Sequence, residues 1–308
     1  MVGKLEQICI ITAFLSVFMG ILTATAQVNR ALLVAIDSYP ANSGWEKIHS
    51  TNDLKIIHPM LVTQGYSPKH IKQLINEEAT KKVITQSLDS LIQQSNPGDY
   101  IYIHFSGHGQ LMVDDNGDET DGLDESFIPY DAQRRYKVGV YEGQNHLRDD
   151  ELGEFVESFR KKIGKKGKLT VVIDACHSGT GTRKENEYKR GTTYIFAPPN
   201  KEVYKITDKI SDKPHLTGKT LAPFIIISAC LPEEINYEYY HKPSGLYYGA
   251  LSFAICQVMN KSSQKISTAN FMEQLKTEVA RLFQGKKRKQ TPYIETNDEK
   301  QIFAIGIQ

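Results

Sequence analysis

Continuous apolar runs and apolar residues at helical spacing alternate along most of this chain. Residues 31–36 are apolar without interruption, the pattern of a strand buried on both faces. Residues 52–64 then place Leu54, Ile57, Met60 and Leu61 on one helical face. The spacing predicts a short strand over 70–75 and a helix over 81–94 carrying Val83, Ile84, Leu88, Leu91 and Ile92. Asn96-Pro97-Gly98-Asp99 is a turn signal, and a strand over 100–105 follows it. Residues 147–162 read as a third helix, with Asp149, Asp150 and Glu151 favourable at its positive end and a Gly-rich basic stretch at 164–168 to stop it. Strands at 169–173 and 224–228, helices at 248–259 and 267–282, and a last strand at 301–307 complete the pattern. Strand and helix in alternation imply an α/β fold, a mostly parallel sheet with helices on both faces.

Two stretches depart from this alternation. In residues 1–26, Lys4 precedes an apolar run over 8–22 that closes in Thr-Ala-Thr-Ala before Gln27. This is the pattern of a secretory signal peptide, with Ala24 and Ala26 at the cleavage site, and it predicts a secreted or periplasmic mature chain over 27–308. The run is about 15 residues, short of the roughly 20 that span a bilayer, so stable membrane insertion is not expected; a retained anchor is the alternative. The second departure is residues 181–222, which carry Arg183, Lys184, Lys189 and Arg190 with little periodicity and read as a flexible insert.

Charge and cysteine content narrow the function. The formal net charge is +1, and nothing in the composition points to a nucleic-acid partner. Of the four cysteines, Cys9 leaves with the signal segment, so Cys176, Cys230 and Cys256 remain. An odd number in an oxidising compartment leaves at least one thiol unpaired, and a Cys176–Cys230 disulfide is the structural alternative.

Two of the predicted strands end in short segments with chemical potential. Tyr-Ile-His-Phe-Ser-Gly-His-Gly spans 102–109, and Val-Val-Ile-Asp-Ala-Cys-His-Ser-Gly spans 171–179. A strand that runs into a glycine-flanked polar residue presents that side chain at the sheet edge, where open α/β sheets bind ligands. His108 and Cys176 are thereby candidates for a base and a nucleophile. No Gly-x-Gly-x-x-Gly follows the first strand, which argues against a nucleotide-binding protein.

Ser106-Gly107-His108-Gly109 and Asp174-Ala175-Cys176-His177-Ser178-Gly179 resemble the two catalytic signatures of the caspase-like cysteine peptidases, in particular the metacaspases. The likeness extends over most of residues 30–307, through Asn52-Asp53, Ile128-Pro129-Tyr130-Asp131, Asp149-Asp150-Glu151 and Gln290-Thr291-Pro292. The resemblance implies a caspase-hemoglobinase-like three-layer sandwich around a mostly parallel six-stranded sheet. It also implies a monomeric endopeptidase that acts on protein or peptide substrates and needs no cofactor for its chemistry. In that family the backbone N–H groups matching Gly109 and Cys176 form the oxyanion hole. The pocket for the residue before the cut is acidic, and the matching positions are Asp53, Ser106 and Asp174, with Ser50 where many members have cysteine. Two carboxylates in a narrow pocket favour arginine or lysine.

Metacaspase-like calcium activation has candidate ligands in Asp149 and Asp150, and in Asp124 of a separate acidic run that also includes Asp114, Asp115, Asp118 and Asp121. Arg183 stands where the family pattern supplies a further aspartate and weakens that expectation. The basic insert matches the expected specificity, which makes self-cleavage between about 183 and 219 an expectation as well. The rival from another class is a catalytically idle caspase-like scaffold.

Overall fold

In a computed structural model of the chain, the described residues are 27–114, 116–117, 119, 122–177, 188–199, 221–261, 266–297 and 302–303. The signal-peptide expectation, Asp115, Asp118, Asp121, Arg183 and Lys184 all lie outside them. The elements run β1 (Asn29–Ala35), α1 (Ser50–Thr63), β2 (Ile71–Ile75), α2 (Lys81–Gln94), β3 (Tyr100–Ser106), β4 (Gly109–Val113), β5 (Leu123–Phe127), β6 (Leu147–Arg148), α3 (Asp149–Ile163), β7 (Lys168–Asp174), β8 (Phe224–Ser228), β9 (Glu238–His241), β10 (Leu246–Gly249), α4 (Ala250–Lys261), β11 (Ile266–Ser267), α5 (Thr268–Leu282), β12 (Tyr293–Thr296) and β13 (Ile302–Phe303).

The main sheet has six strands in the order β12-β8-β7-β3-β1-β2. Five are parallel and β12 is antiparallel to β8, so this is the three-layer α/β architecture that the motifs imply. Alternation along each buried strand divides the core in two. Ala31, Leu33, Ala35, Tyr102, Val172, Ile225 and Ile227 face α1, α4 and α5. Leu32, Val34, Ile101, Ile103, Phe105, Val171 and Ile226 face α2 and α3. Period-two side chains on a sheet covered twice give both faces an apolar run, which is why the sequence shows continuous rather than alternating hydrophobicity.

The end of the chain differs from the sequence expectation. The sixth strand of the main sheet is Tyr293–Thr296, while Ile302–Phe303 pairs with Ile266–Ser267 in a separate two-stranded sheet. Residues 293–296 are mostly half-buried at a sheet edge, so they lack the apolar run that marks the inner strands. Two further sheets were not anticipated: β4-β5-β6, and the hairpin β9-β10, whose second strand ends where the predicted helix over 248–259 was to begin. Residues 188–199 of the insert are more ordered than its composition suggests. Residues 188–199 bridge to the body at Lys189↔Tyr237 and Met112↔Phe196, and Arg190 and Phe196 are buried. Among the described residues, no helix is long and apolar enough to cross a membrane.

Candidate active site

Strands β3 and β7 are adjacent and parallel, with Ser106 paired in register to Asp174. Both motifs therefore leave the carboxyl end of the sheet side by side, and each places its candidate side chain two residues later, at His108 and Cys176. The chain leaves β1 for β2 on one side and returns to β3 on the other, so this end of the sheet is a topological switch point.

His108 is buried between aromatic rings, 5.0 Å from Trp45 in a stacked arrangement and 5.5 Å from Tyr39. Its Nε2 lies 2.8 Å from the carbonyl oxygen of Glu46. A carbonyl only accepts, so Nε2 carries the hydrogen and the lone pair is on Nδ1. Nδ1 is buried and has no hydrogen-bond partner among the described residues. Burial pulls the imidazole pKa down to about 4, which keeps the ring neutral at neutral pH.

Cys176 is also buried, and its thiol donates to the Glu234 carbonyl at 3.2 Å. Cys230, at the end of the neighbouring strand β8, places its sulfur 3.4 Å from that of Cys176 and donates to the same carbonyl. The strand ends are neighbours, as the disulfide alternative required, but the two cysteines are not joined in a disulfide. The hydrogen bond with Cys176, followed by burial, pushes the Cys230 thiol well up, so it stays protonated. Gly109 packs on the Cys176 backbone: a Cβ there would fall 2.7 Å from the Cys176 carbonyl oxygen and 2.9 Å from the ring of His177.

The carboxylates expected to form an open pocket converge instead on a cation of the chain itself. Arg190 has no solvent exposure. Its Nη1 donates to Asp53 Oδ2 at 2.6 Å and to Ser106 Oγ at 2.7 Å, and it lies 3.4 Å from Asp174 Oδ2. Nη2 and Nε both reach Glu238 Oε1, at 3.0 and 3.2 Å. Ser106 donates to Asp53, and the backbone N–H of Gly249 donates to the other Asp53 oxygen at 2.8 Å. Ser50 is buried at the start of α1, and its Oγ has no hydrogen bond among the described residues; the guanidinium's polar partners are Asp53, Ser106, Asp174 and Glu238.

Burial opposes ionisation of all three carboxylates, and local donors decide the outcome. For Asp174, the Arg190 charge and bonds from Ser252 and Asn236 outweigh burial and hold the carboxyl below its usual range. Arg190 and His49 do the same for Glu238. For Asp53, burial prevails over Arg190 and the pKa rises to about 6. Burial disfavours the Arg190 charge, but the three carboxylates outweigh it and raise its pKa. Behind Asp174, Ser252 links to buried His104, which also bonds Tyr102.

Sequence reasoning missed Glu238, Asn236, Ser252 and Gly249 as pocket residues, and read Arg190 as part of a loose insert. A basic residue immediately before a glycine, Arg190-Gly191, was the available signal. Of the calcium candidates, Asp124 is ion-paired with Arg148, and Asp150 accepts from Asn116 at 2.8 Å. Asp149 begins α3. Among the described residues, no three acidic, histidine or cysteine side chains cluster as a metal cage.

A neutral imidazole and a thiol at neighbouring strand ends, above buried carboxylates, define a caspase-type site. The caspase-domain family profile matches residues 28–303, and the chain belongs to that family of cysteine peptidases. It is 31% identical over 178 residues to metacaspase-1 of Eremothecium gossypii, covering 56% of this chain and 36% of that protein. It is 36% identical over 158 residues to metacaspase-2 of Arabidopsis thaliana, covering 49% of this chain and 34% of that one. For metacaspase-1 of Mycosarcoma maydis the figures are 25% over 270 residues, with coverage of 76% and 63%. The chain thus spans about a third to under two thirds of the length of these relatives. Among solved structures, protein GSU0716 from Geobacter sulfurreducens has the same fold, with a TM-score of 0.58, 19% identity and coverage of 87% of this chain and 93% of that one. Caspase-1 from Spodoptera frugiperda has a TM-score of 0.52, 12% identity and coverage of 91% and 90%.

Proposed function

We propose that this chain is an endopeptidase that hydrolyses the peptide bond after arginine or lysine, with Cys176 as nucleophile and His108 as base. The observation that carries the reading is the seat of Arg190: its guanidinium lies among Asp53, Asp174 and Glu238 while its carbonyl oxygen accepts from the Cys176 N–H at 2.7 Å. A guanidinium in the acidic pocket thus brings the carbonyl of the same residue to the nucleophile's own amide. The mechanism follows from the groups present. Nδ1 of His108 takes the thiol proton as the thiol turns from the Glu234 carbonyl towards the substrate. The negative charge that develops on the substrate oxygen is held by the Cys176 N–H, with Gly109 as the expected second donor; losing one such donor typically costs about 3 kcal/mol. His108 then returns the proton to the leaving amine.

The test is hydrolysis of fluorogenic peptides ending in Arg, Lys or Asp by wild type and Cys176→Ala. Each arm is run with chelator and with added calcium, since the acidic run at 114–125 lies only partly within the described residues. Arg and Lys peptides should be cut, Asp peptides should not, and Cys176→Ala should be silent. Absence of hydrolysis in every arm would leave the scaffold reading in its place.

A further inference from the structure

The orientation of the His108 ring is fixed from outside its own loop. Glycines flank the histidine, and a side chain fits at neither: a Cβ on Gly107 would lie 2.9 Å from the Phe127 ring, and one on Gly109 2.7 Å from the Cys176 carbonyl oxygen. Neighbours without side chains give the imidazole nothing local to pack on. Its contacts come instead from the connection between β1 and α1, residues 36–49, which closes on itself where the Ile48 N–H donates to the Asp37 carbonyl at 3.0 Å. The Glu46 carbonyl takes the Nε2 hydrogen at 2.8 Å. Tyr39 lies against the ring at 5.5 Å, and its hydroxyl accepts from the His108 N–H at 3.3 Å. Trp45 stacks on the ring at 5.0 Å, with the two planes 25° apart. Trp45 is itself held: its N–H donates to Ser43 Oγ at 3.2 Å, and the Arg134 guanidinium lies over the indole at 6.0 Å. Arg134 is anchored in turn, by its N–H on the Ser43 carbonyl at 2.9 Å and by Nη2 on Thr192 Oγ1 at 2.8 Å. The indole Nε1 is buried without a hydrogen-bond partner among the described residues, so the ring is what this side chain contributes.

We propose that Trp45 is a positioning residue for the peptidase reaction: its indole holds the His108 ring in the orientation from which Nδ1 takes the Cys176 proton, and it screens that ring from water. This rests on the peptidase reading above and adds to it a residue that lies in neither motif. A single hydrogen bond at Nε2 leaves an imidazole free to swing about that bond, and a stacked face removes the freedom. A misplacement of about 1 Å in a catalytic group costs on the order of a hundredfold in rate. The screening has a sign. His108 accepts a proton only when neutral, and burial holds its pKa down at about 4; the Glu46 carbonyl and Glu238 raise it, and Arg190 and Arg134 lower it. The other titratable groups at the site are the Tyr39 hydroxyl, which burial keeps protonated, and the Cys176 thiol. Trp45 carries no charge, so Trp45→Ala removes none of these groups and admits water. The His108 pKa should then move back towards the ordinary 6.5.

The experiment measures kcat and KM for an arginine coumarin amide across the acid limb, from about pH 4.5 upwards, for full-length wild type, Trp45→Ala and Trp45→Phe. The pH dependence of kcat reports groups in the substrate complex, where a bound cation already fills the acidic pocket. Trp45→Ala should lose about a hundredfold in kcat with KM within about twofold of wild type. Its remaining kcat should fall away below about pH 6.5, where that of wild type still holds. Trp45→Phe keeps a ring face without the N–H and should recover kcat to within about threefold, with the wild-type limb. KM and the midpoint of the limb are independent of the fraction of variant that folds. A wild-type kcat in Trp45→Ala, or a Trp45→Phe as slow as Trp45→Ala, would overturn the proposal and leave the peptidase reading standing. A low kcat with an unshifted limb would mark general loosening of the fold and overturn it as well. Wild type that hydrolyses no peptide in any condition would overturn both readings together.

Discussion

Arg160 and Arg190 are both almost without solvent contact, at 1% and 0% exposure, but only one of them is surrounded by charge. Arg160, on α3, donates Nε to the Ala222 carbonyl at 2.9 Å, lies over the Phe224 ring at 4.6 Å, and leaves Nη2 without a partner among the described residues. Its ties are a neutral carbonyl and a ring, and it fastens the start of β8 to the helix layer. Arg190 comes from a loop and meets three carboxylates supplied by α1, β7 and β9. A cation that holds two elements together needs no acceptor of full charge. A receptor for cations has to keep its carboxylates ionised, and Asp174 shows the means: Ser252 N–H and Oγ at the start of α4 and Asn236 from the loop before β9. The helix start adds the positive end of its dipole to those donors.

Replacing each arginine by methionine in a Cys176→Ala background gives the largest contrast. Removing one partner of a buried charge cluster typically costs about 3–5 kcal/mol, whereas a single hydrogen bond to a neutral carbonyl is typically worth about 1 kcal/mol. Arg190→Met should therefore lose about 3 kcal/mol or more in urea unfolding at pH 8, and Arg160→Met should stay within about 1 kcal/mol. Equal losses would mean that the two sites are of one kind. The sign of the pH dependence sharpens the same comparison. Asp53 already has its pKa raised to about 6 with Arg190 in place. A carboxylate raised above its unfolded value binds more protons when folded, so its stability is lost as pH climbs through the folded pKa. Without Arg190 all three carboxylates lose the charge that lowers their pKa and shift upwards, and the Arg190→Met deficit should be smaller at pH 5 than at pH 8. Arg160→Met should show no such trend.

Gly249 tests whether the pocket is specific for a cation's shape as well as its charge. A Cβ there would fall 2.1 Å from Asp174 Oδ2 and 2.4 Å from Arg190 Nη1, so Gly249→Ala fills the space the guanidinium needs. If that forfeits about 3 kcal/mol of pairing, kcat/KM for arginine peptides falls about a hundredfold. The loss should be smaller for lysine, whose head group is compact. An unchanged rate on arginine peptides would place recognition elsewhere.

The strands that carry the site were legible because they are buried on both faces. The residues predicted for α2 and β8, 81–94 and 224–228, are those the structure assigns, and the two motifs fall at the ends of neighbouring strands. The edge strand β12 was not legible, since half-buried Tyr293 and Ile294 give no apolar run. Arg190 shows a deeper limit. Its partners Asp53 and Glu238 lie 137 and 48 residues away, and a basic residue in an aperiodic stretch reads as solvated unless those partners are known. Local pattern reports which side chains avoid water, and a buried cation avoids water only because distant carboxylates replace it.

Ser252→Ala gives the smallest effect and tests the supporting network behind the pocket. The substitution removes the hydroxyl that bonds Asp174 Oδ2 but keeps the backbone N–H bond of the same residue at 2.9 Å. A hydrogen bond to a charged group is worth about 1.5–3 kcal/mol, and with the amide retained the lower end is expected. It also leaves His104 Nε2, 3.0 Å from the hydroxyl, without that partner. If Asp174 acts only by holding a cation, the variant should raise KM for arginine peptides by about tenfold with kcat unchanged, since substrate and transition state lose the same contact. If kcat falls instead, Asp174 also orients the Cys176 loop two residues away, and the pocket and the nucleophile are positioned as one unit.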